Sequence, residues 1–489
     1  MTKQEAVIKY ITENYLEFNR LRHDVISDKL QLRMEKPTPA PFLKDGGNSA
    51  AHKSFPSGED LGEAVVWREM TKQDINSIVC HCAQEYDTNI TSREVITALQ
   101  SDLIPNVHPL REYILSLRPY TPDQPDWIDM VASQVRISPA PESATDRPKG
   151  LSERTACCQT TMLLDRPYEA DRPMNLTGEA DLTVNEVNGL ASNSSPRERS
   201  EADRLWRVCF KKWFVAMVAS WMRDEVVNHQ VLVLIGRQGI YKTTWLEHLI
   251  PPHLRAYTCK LANSTDLNKD ERMRIAEFGL ISLDEIDSMN NRELNQLKSI
   301  ITATDVNERA AYAYTKERRV RLASFCASGN RRDFLTDITG NRRWLPFEVE
   351  SIQNPFYTLL PYERMYAQAW ALAQDPLFSY WFDLDEIEVL EQHNQHFRDE
   401  SNEEQLLPIL FDVPAEGKGE FMTTAQISER LVTYGNIKKP MALSRLGMVL
   451  GTAGYKATKR KIGNTQTRGW IVYQRDTDEI SALRRILKD

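Results

Sequence analysis

The chain carries a run of five aliphatic residues, Val231–Ile235, followed directly by the loop GRQGIYKTT. The run does not alternate between apolar and polar residues, which is typical of a strand buried on both faces of a parallel sheet. Gly236 and Gly239 punctuate the loop, and Lys242 and Thr243 open a segment with helical spacing. A buried strand, a glycine-containing turn and a helix in this order predict an α/β fold wound around a parallel sheet.

The same loop has the chemistry of a phosphate cradle. Its glycines let the backbone turn tightly and aim N–H groups at phosphate oxygens, and the helix adds the positive end of its dipole. Lys242 would reach the β- and γ-phosphates, and Thr243 would place its hydroxyl on Mg²⁺. Gly236, Gly239, Lys242, Thr243 and Thr244 are the predicted nucleotide-binding residues, with ATP and Mg²⁺ as cofactors. Taken alone, the pattern describes an ordinary strand–turn–helix equally well.

One position departs from the usual phosphate-loop pattern. Tyr241 stands where a glycine normally precedes the lysine. A side chain there needs either an altered loop conformation or a ring that points outward. The departure predicts slower or looser nucleotide binding than in a loop with glycine at this position.

A second motif, GLISLDEID, supplies the acidic half of a hydrolytic site. The short apolar strand Leu280–Leu283 ends in Asp284 and Glu285, about forty residues after Lys242, a usual distance in compact phosphate-loop proteins. Asp284 is predicted to hold Mg²⁺ together with Thr243, and Glu285 to orient and deprotonate the attacking water. The alternative is a strand that ends in an acidic helix cap, which is common.

Further polar residues follow the next buried strand. RLASFCASGN ends in Asn330, which could contact the γ-phosphate or the water, and Arg342 and Arg343 follow in TGNRR. An arginine at such a site can neutralise transition-state charge, typically from a neighbouring subunit. Either arginine could instead be an ordinary surface residue.

Two segments could bind nucleic acid. AAYAYTKERRVRLASF predicts two strands with a turn near Lys316-Glu317, presenting Lys316, Arg318, Arg319 and also Arg321. The alternative is an exposed hairpin packed against its own acidic surface.

The second segment, Glu420–Arg475, has ten Lys and Arg against two Glu in a chain whose net charge is −8. Two helical patterns and a hairpin turning at Gly463-Asn464 give the order of a winged helix. The predicted DNA-binding residues of this hairpin are Lys459, Arg460 and Lys461. Winged helices also serve as protein–protein modules, so that alternative stays open.

Five ordered motifs together resemble the virulence-associated protein E family: GRQGIYKTT, LISLDEID, LKSIITATDVNERAAYAYTKERR, FCASGN and TGNRRWLPFEV. That family is found on prophages and mobile elements and is similar to the superfamily 3 helicases of the AAA+ class. The resemblance is strong over Asp203–Val349 and weaker toward the N-terminus. It implies an αβα AAA+-like core that assembles into a ring, expected to be a hexamer, with ATP at subunit boundaries.

The resemblance also implies roles for single residues. Lys242 and Thr243 match the Walker A motif, Asp284 and Glu285 match Walker B, and Asn330 matches sensor 1. Arg342 or Arg343 is the candidate arginine finger. Lys298 lies where these helicases have a basic residue after Walker B, and the hairpin with Lys316 would grip the DNA backbone in the ring channel.

Composition shifts along the 489 residues divide the chain into parts. A segment rich in Pro, Ser, Thr and Asn has too little apolar surface to offset its ordering entropy and predicts a flexible linker. The predicted parts are a helical N-terminal domain (1–138), the linker (139–202), the P-loop ATPase domain (203–350), a helical extension (351–411) and a winged-helix-like basic domain (412–489).

These patterns favour an ATP-hydrolysing DNA helicase or translocase of a mobile element or prophage, acting as an oligomeric ring. The alternative is an ATP-dependent switch that binds DNA or a protein without unwinding. Seven irregularly spaced cysteines and the lack of an apolar signal core predict a cytoplasmic protein with no membrane association.

Overall fold

The structure is a computed structural model of the chain. The described residues are 2–34, 66–138, 201–261, 269–308, 317–336, 341–414, 419–462 and 465–486.

The N-terminal region combines three helices with a four-stranded sheet, in the order β3-β2-β1-β4. Capping boxes formed by Thr2, Thr71 and Thr91 begin the three helices. The elements are α1 (Lys3–Ile11), the π-helical turn Thr12–Leu16, β1 (Leu21–Asp24), β2 (Lys29–Met34), β3 (Val66–Glu69), α2 (Lys72–Tyr86), α3 (Ser92–Leu99) and β4 (Asn106–Val107).

The predicted helical N-terminal domain therefore has its helices, but it also contains a sheet that was not predicted. The strands are short, and β2 pairs with a strand more than thirty residues further along the chain. Since period-2 alternation over four to six residues is a weak signal, the helix-like spacing of the neighbouring segments dominated the sequence pattern.

A layer of helices covers one face of the central sheet. The elements are α4 (Pro109–Ser116), α5 (Trp127–Ala132), β5 (Val135–Ile137) and α6 (Glu201–Met222). Three indole N–H groups of α6 donate to backbone carbonyls at different places: Trp206 to Ala132, Trp213 to Phe325 and Trp221 to Gly279. These buried bonds fix α6 against the sheet, because a buried indole N–H without an acceptor would be costly in an apolar layer.

The central sheet has six strands in the order β5-β12-β6-β11-β8-β7, five of them mutually parallel and β5 antiparallel to β12. Its strands and connections are β6 (Val231–Ile235), α7 (Lys242–His248), the 3₁₀ turn Pro252–Tyr257, β7 (Thr258–Leu261), α8 (Lys269–Glu277), β8 (Leu280–Leu283), the 3₁₀ turn Ile286–Ser288, α9 (Asn291–Thr302), β9 (Asp305–Glu308), β10 (Glu317–Val320), β11 (Ser324–Gly329) and β12 (Trp344–Ile352). All five residues of β6 are buried. The predicted mixed α/β architecture with a parallel sheet is confirmed.

The predicted hairpin lies between α9 and β11, with different bounds. β9 and β10 pair antiparallel, and Glu317 lies opposite Glu308. The expected turn at Lys316-Glu317 is wrong in this respect, because Glu317 is already part of the returning strand. Lys316 itself lies outside the described residues.

The remaining chain continues as helices and then a small sheet, in which β16 pairs with β13, β14 and β15. The elements are α10 (Tyr362–Gln374), α11 (Leu384–Asn394), the 3₁₀ turn Gln395–Phe397, α12 (Asn402–Leu410), β13 (Phe411–Asp412), β14 (Glu420–Met422), α13 (Thr424–Gly435), α14 (Leu443–Thr452), β15 (Lys456–Ile462), β16 (Thr465–Gln474) and α15 (Thr477–Ile486). The predicted order of helix, helix and hairpin is present, around a core that contains Leu446 and Trp470. Residues Gly463 and Asn464, the predicted turn, lie outside the described part of the chain.

None of the helices formed by the described residues is long and apolar enough to cross a membrane.

Candidate functional site

Three neighbouring parallel strands bring their carboxyl ends to one edge of the central sheet. β6 is followed by Gly236, β8 by Asp284 and β11 by Asn330, and β11 lies between the other two. Polar groups at the ends of such strands face a shared crevice, which is where open α/β sheets bind ligands. We call this side the carboxyl edge.

The loop after β6 needs glycine at two positions. Gly236 has φ of 154°, and a Cβ atom there would lie 2.7 Å from the carbonyl oxygen of Val349. Gly239 has φ of 85°. Because larger residues rarely adopt these angles, the two glycines are required by the backbone path of the loop.

Lys242 begins α7 and is buried. Its Nζ donates to the carbonyl oxygens of Gly236 at 2.8 Å and Arg237 at 2.7 Å, and to Oδ1 of Asn330 at 3.3 Å. Burial lowers the pKa of the ammonium, and Asp287 and Asp284 oppose that shift. The sequence-predicted Lys242 and Asn330 are thus in contact, and the ammonium is held between the loop after β6 and the end of β11.

Oxygen atoms from three elements meet beside Lys242. Thr243 Oγ1 donates to Asp284 Oδ1 at 3.2 Å and lies 2.9 Å from Ser328 Oγ, which itself donates to Asp284 Oδ1 at 2.7 Å. Ser328 was missed by the sequence analysis, although it stands in FCASGN two residues before Asn330. Ser328 lies two residues before Asn330 and therefore on the same face of the extended chain, so a polar residue at this position was the available signal.

Tyr241 occupies the left-handed region, with φ of 67° and ψ of 19°, immediately before α7. Its ring is 39% exposed and packs edge-on against Phe356. Of the two alternatives raised by the sequence, the outward-pointing ring therefore holds, since the backbone keeps a conformation that glycine readily adopts. A bulky residue in this region is strained, and such strain is found mainly at functional sites.

The acidic segment after β8 is also strained and well connected. Glu285 has φ of 54°, and its backbone N–H donates to Asp284 Oδ1 at 3.2 Å. Asp287, which the sequence analysis did not single out, accepts from the backbone N–H groups of Asn330 at 3.2 Å and Arg331 at 3.1 Å. Asp287 therefore holds the turn that directs Asn330 toward Lys242.

Thr244 is half-buried on the first turn of α7, and its carbonyl oxygen lies 2.7 Å from His248 Nδ1. It lies beside Thr243 in sequence and on the neighbouring face of the helix.

Arg342 and Arg343 do not reach this site within their own chain. They precede Trp344, which pairs with Val231 at the start of β6, whereas Glu348 pairs with Ile235 at its end. Four residues of strand separate the two ends by about 13 Å. The arginines therefore lie at the opposite side of the sheet, which we call the amino edge. The backbone N–H of Val231 donates to the carbonyl of Arg343 there, at 2.8 Å.

The arginines at the base of the central hairpin have acidic partners. Arg318 pairs with Asp305 at 3.0 Å, and Arg319 pairs with Asp28 of the N-terminal region at 3.2 Å. Arg321 is 1% exposed and donates to backbone carbonyls, so the expectation that it is presented to nucleic acid is wrong. Lys298 lies half-buried on α9.

The cations of the C-terminal hairpin are exposed and lie near aromatic rings, whereas those at the base of the central hairpin pair with acidic side chains. Lys459, Arg460 and Lys461 are exposed consecutive residues of β15. Arg460 lies over the ring of Phe421 at 5.3 Å, and Arg468, which pairs with Lys459 in the ladder, lies over Trp470 at 5.8 Å. Cations interleaved with aromatic rings suit a nucleic-acid strand.

The donors at the carboxyl edge fit Mg²⁺ and a triphosphate. The hydroxyl of Thr243 and the carboxylate of Asp284 are hard oxygen ligands of the kind Mg²⁺ takes, with phosphate oxygens and water completing its shell. In the described part of the chain, no group of three or more His, Cys, Asp or Glu side chains could hold a metal by itself. The site would therefore take Mg²⁺ together with the phosphates and not in an all-protein cage.

Comparison with known proteins gave one family and several structural neighbours. Residues 195–405 match the virulence-associated protein E-like domain, which confirms the family predicted from the motifs. None of the curated proteins matches this sequence. The apo structure of the NrS-1 C-terminal region is similar at 10% sequence identity and a TM-score of 0.38, covering 96% of this chain and 100% of that one. An A-form apo structure of that region has 11% identity and a TM-score of 0.36, with coverage of 94% and 98%.

Proposed function

Residues 195–405 form a virulence-associated protein E-like domain, and from that premise we propose that the protein is a Mg²⁺-dependent ATPase that drives a DNA helicase or translocase of a mobile element or prophage. The observation that carries the proposal is the set of contacts at the carboxyl edge. There Lys242 meets Asn330, and Thr243 and Ser328 meet Asp284. A lysine, two hydroxyls, a carboxylate and an amide around a glycine loop suit phosphoryl transfer to water.

Each residue has a role in that chemistry. The N–H groups of the loop and the Lys242 ammonium bind the β- and γ-phosphates, and Thr243 and Asp284 hold Mg²⁺, which when bound neutralises phosphate charge. Glu285 orients a water and accepts its proton as the oxygen attacks the γ-phosphorus, and ADP departs with its bridging oxygen. Asn330 fixes the γ-phosphate or the water from the next strand.

The strand order supports an AAA+-like core, and the amino edge supports a ring. β6, which precedes the phosphate loop, lies between β12 and β11, the strand that ends before Asn330. β8, which ends before Asp284, lies on the other side of β11. Because Arg342 and Arg343 lie at the far edge, either of them can complete a site only in a second copy. We expect a closed ring, with six subunits as the family resemblance implies, and a C-terminal winged helix that binds DNA.

Replacement of Lys242 tests the assignment. Lys242→Ala is expected to reduce ATP hydrolysis at least about a hundredfold, because a charged group stabilising the transition state is removed. Lys260→Ala is a matched control, since Lys260 is an exposed lysine of the same sheet that pairs with Glu247 of α7. Hydrolysis is measured with and without single-stranded DNA. Full turnover by Lys242→Ala would refute the site.

A second candidate is an ATP-dependent switch that binds DNA or a protein without unwinding. The ion pairs of Arg318 and Arg319 favour it. Both arginines, at the base of the central hairpin, are paired with carboxylates and not presented to a DNA strand. Size measured with and without ATP distinguishes the two. A protein that stays monomeric with ATP bound, and whose hydrolysis does not respond to DNA, is the switch.

A further inference from the structure

Three aromatic side chains form a wall beside the phosphate loop: Tyr241, His248 and Phe356. The ring of Phe356 stands edge-on to both others, with centroid distances of 6.4 Å to Tyr241 and 5.5 Å to His248. Phe356 is nevertheless 65% exposed and Tyr241 is 39% exposed. The wall is therefore an organised aromatic surface that remains open to solvent.

The wall follows one face of α7. Tyr241, Thr244 and His248 are spaced by three and four residues, which places them one above another along a helix. The hydrogen-bond contact between His248 Nδ1 and the Thr244 carbonyl, at 2.7 Å, fits this alignment. Phe356 bridges the first and last of these residues, so the wall flanks Thr244 from both ends of the face.

The backbone around Phe356 is held in place. Asn354 Oδ1 accepts from the N–H of Phe356 at 3.0 Å, and the Asn354 carbonyl accepts from Tyr357 at 3.1 Å, which closes a turn. At the other side, Tyr362 OH donates to the carbonyl of His248 at 2.7 Å. These bonds hold the backbone that carries the rings, and Asn354 Nδ2 also donates to the Tyr241 hydroxyl at 3.5 Å, so the wall is preorganised.

Tyr241 indicates what kind of ligand the wall binds. Its left-handed backbone is the one that glycine adopts without strain, so the phosphate loop gains nothing from a tyrosine there. What the tyrosine adds is an aromatic ring at the start of the helix face that leads away from the phosphates. We infer that the wall binds the adenine base of ATP, with Phe356 and Tyr241 as the residues that contact it. The inference rests on the proposed function, since the phosphates must first lie in the loop.

Comparison of ATP with inorganic tripolyphosphate tests the inference. Both ligands are titrated with Mg²⁺ into the full chain by calorimetry, so that the readout is affinity and not turnover. Phe356→Ala should weaken ATP by roughly 5- to 100-fold, the range for loss of one base–aromatic contact, and leave tripolyphosphate unchanged. Tyr241→Gly should weaken ATP while tripolyphosphate binds at least as tightly, because the strain is relieved.

The neighbouring Tyr357, which is 87% exposed, provides the control. Tyr357→Ala should change neither affinity. The inference is overturned if Phe356→Ala binds ATP like the wild type or loses both ligands equally. If Lys242→Ala loses both ligands while Phe356→Ala loses neither, the wall fails and the proposed function stands. If the wild type binds neither ligand, both fail.

Discussion

The two edges of the central sheet both carry buried cations, but they use them in different ways. At the carboxyl edge, Lys242 bonds to its own loop and to Asn330, with Asp284 and Asp287 close enough to oppose the fall in its pKa. At the amino edge, Arg321 donates only to backbone carbonyls, among them those of Ala323 and Asn228. Burial lowers the pKa of Arg321 to about 9, and no carboxylate opposes that shift.

The difference shows that a buried cation at a sheet edge is not in itself a functional group. Arg321 uses its donors to close the backbone between α9, β11 and the start of β6. Lys242 shares its surroundings with side chains that can exchange partners when a phosphate arrives. The exposed Arg342 is another cation of the amino edge, and it has no substrate there unless a second copy brings a carboxyl edge to it.

The largest expected effect concerns Arg342. Arg342→Ala should lower ATP hydrolysis by about 10³-fold while ATP affinity stays the same, because in the proposed ring the arginine stabilises the transition state in a neighbouring subunit. Arg343→Ala, at the adjacent half-buried position, is the paired variant, and a larger loss there would transfer the role to Arg343. Steady-state hydrolysis and nucleotide titration measure the two quantities.

Mixing two inactive variants tests directly whether the carboxyl edge of one subunit meets the amino edge of another. Inactive Lys242→Ala and Arg342→Ala proteins should regain hydrolysis when combined, since some interfaces then contain an intact Lys242 opposite an intact Arg342. If mixing restores nothing, the two edges do not meet.

Arg321 should matter for stability. Arg321→Met leaves several buried carbonyls without a donor and should lower the free energy of unfolding by about 3–5 kcal/mol. Lys242→Met should cause a smaller loss, because two of the three residues that accept its hydrogen bonds, Arg237 and Asn330, are exposed and can bond to water instead. Urea denaturation of the two variants compares them, and an equal loss would remove the distinction between the edges.

A smaller effect is expected at Ser328. Ser328→Ala should raise the Mg²⁺ concentration needed for half-maximal hydrolysis by about tenfold, since one net hydrogen bond that orients Asp284 is lost. Ser324 lies on the same strand at the amino edge and accepts from Asn228 at 3.2 Å. Ser324→Ala should reduce stability and leave the Mg²⁺ dependence alone. A shift of similar size in both variants would exclude a positioning role for Ser328.

The smallest effect is a pH dependence at the amino edge. Burial lowers the pKa of His229, and the nearby arginines add to the shift. The unfolded chain therefore binds more protons than the folded one just below the ordinary value of 6.5, and stability falls as pH drops through that range. His229→Gln should lose less stability than the wild type between pH 7.5 and 5.5 in thermal denaturation. The difference between the two proteins isolates His229 from His108 and His393, whose pKa values burial lowers to about 4.

The sequence predicted the parts of the fold that depend on strong local patterns. Val231–Ile235 is an uninterrupted apolar run and Leu280–Leu283 is apolar except for Ser282, and both are buried parallel strands. The sheet of the N-terminal region was missed because its strands are short and its pairing is distant in sequence. β5 was missed for the same reason, since three residues paired with a strand more than two hundred residues away leave no local signal.

The candidate site likewise contains residues that strong local patterns predict and residues that they do not. Lys242, Thr243, Asp284 and Asn330 follow recognisable strands, so their meeting at one edge could be anticipated. Ser328 could have been found from its spacing to Asn330, whereas Asp287 acts from a turn through contacts to the end of another strand, which spacing does not show. The outward position of the Tyr241 ring depends on Phe356, which lies in a turn without periodicity.

The pairing of β5 with β12 matters for anyone who produces this protein in shortened form. The family match begins at residue 195, and a protein starting there would lack the strand that covers the outer edge of β12. It would also remove the partners of two buried indoles, the carbonyl of Ala132 for Trp206 and the amide of Gln134 for Trp245. A bare strand edge beside newly uncovered tryptophans is a template for aggregation. The segment that matches the family is therefore shorter than the segment needed for a stable fold. A shortened protein is expected to be soluble if it begins before α4.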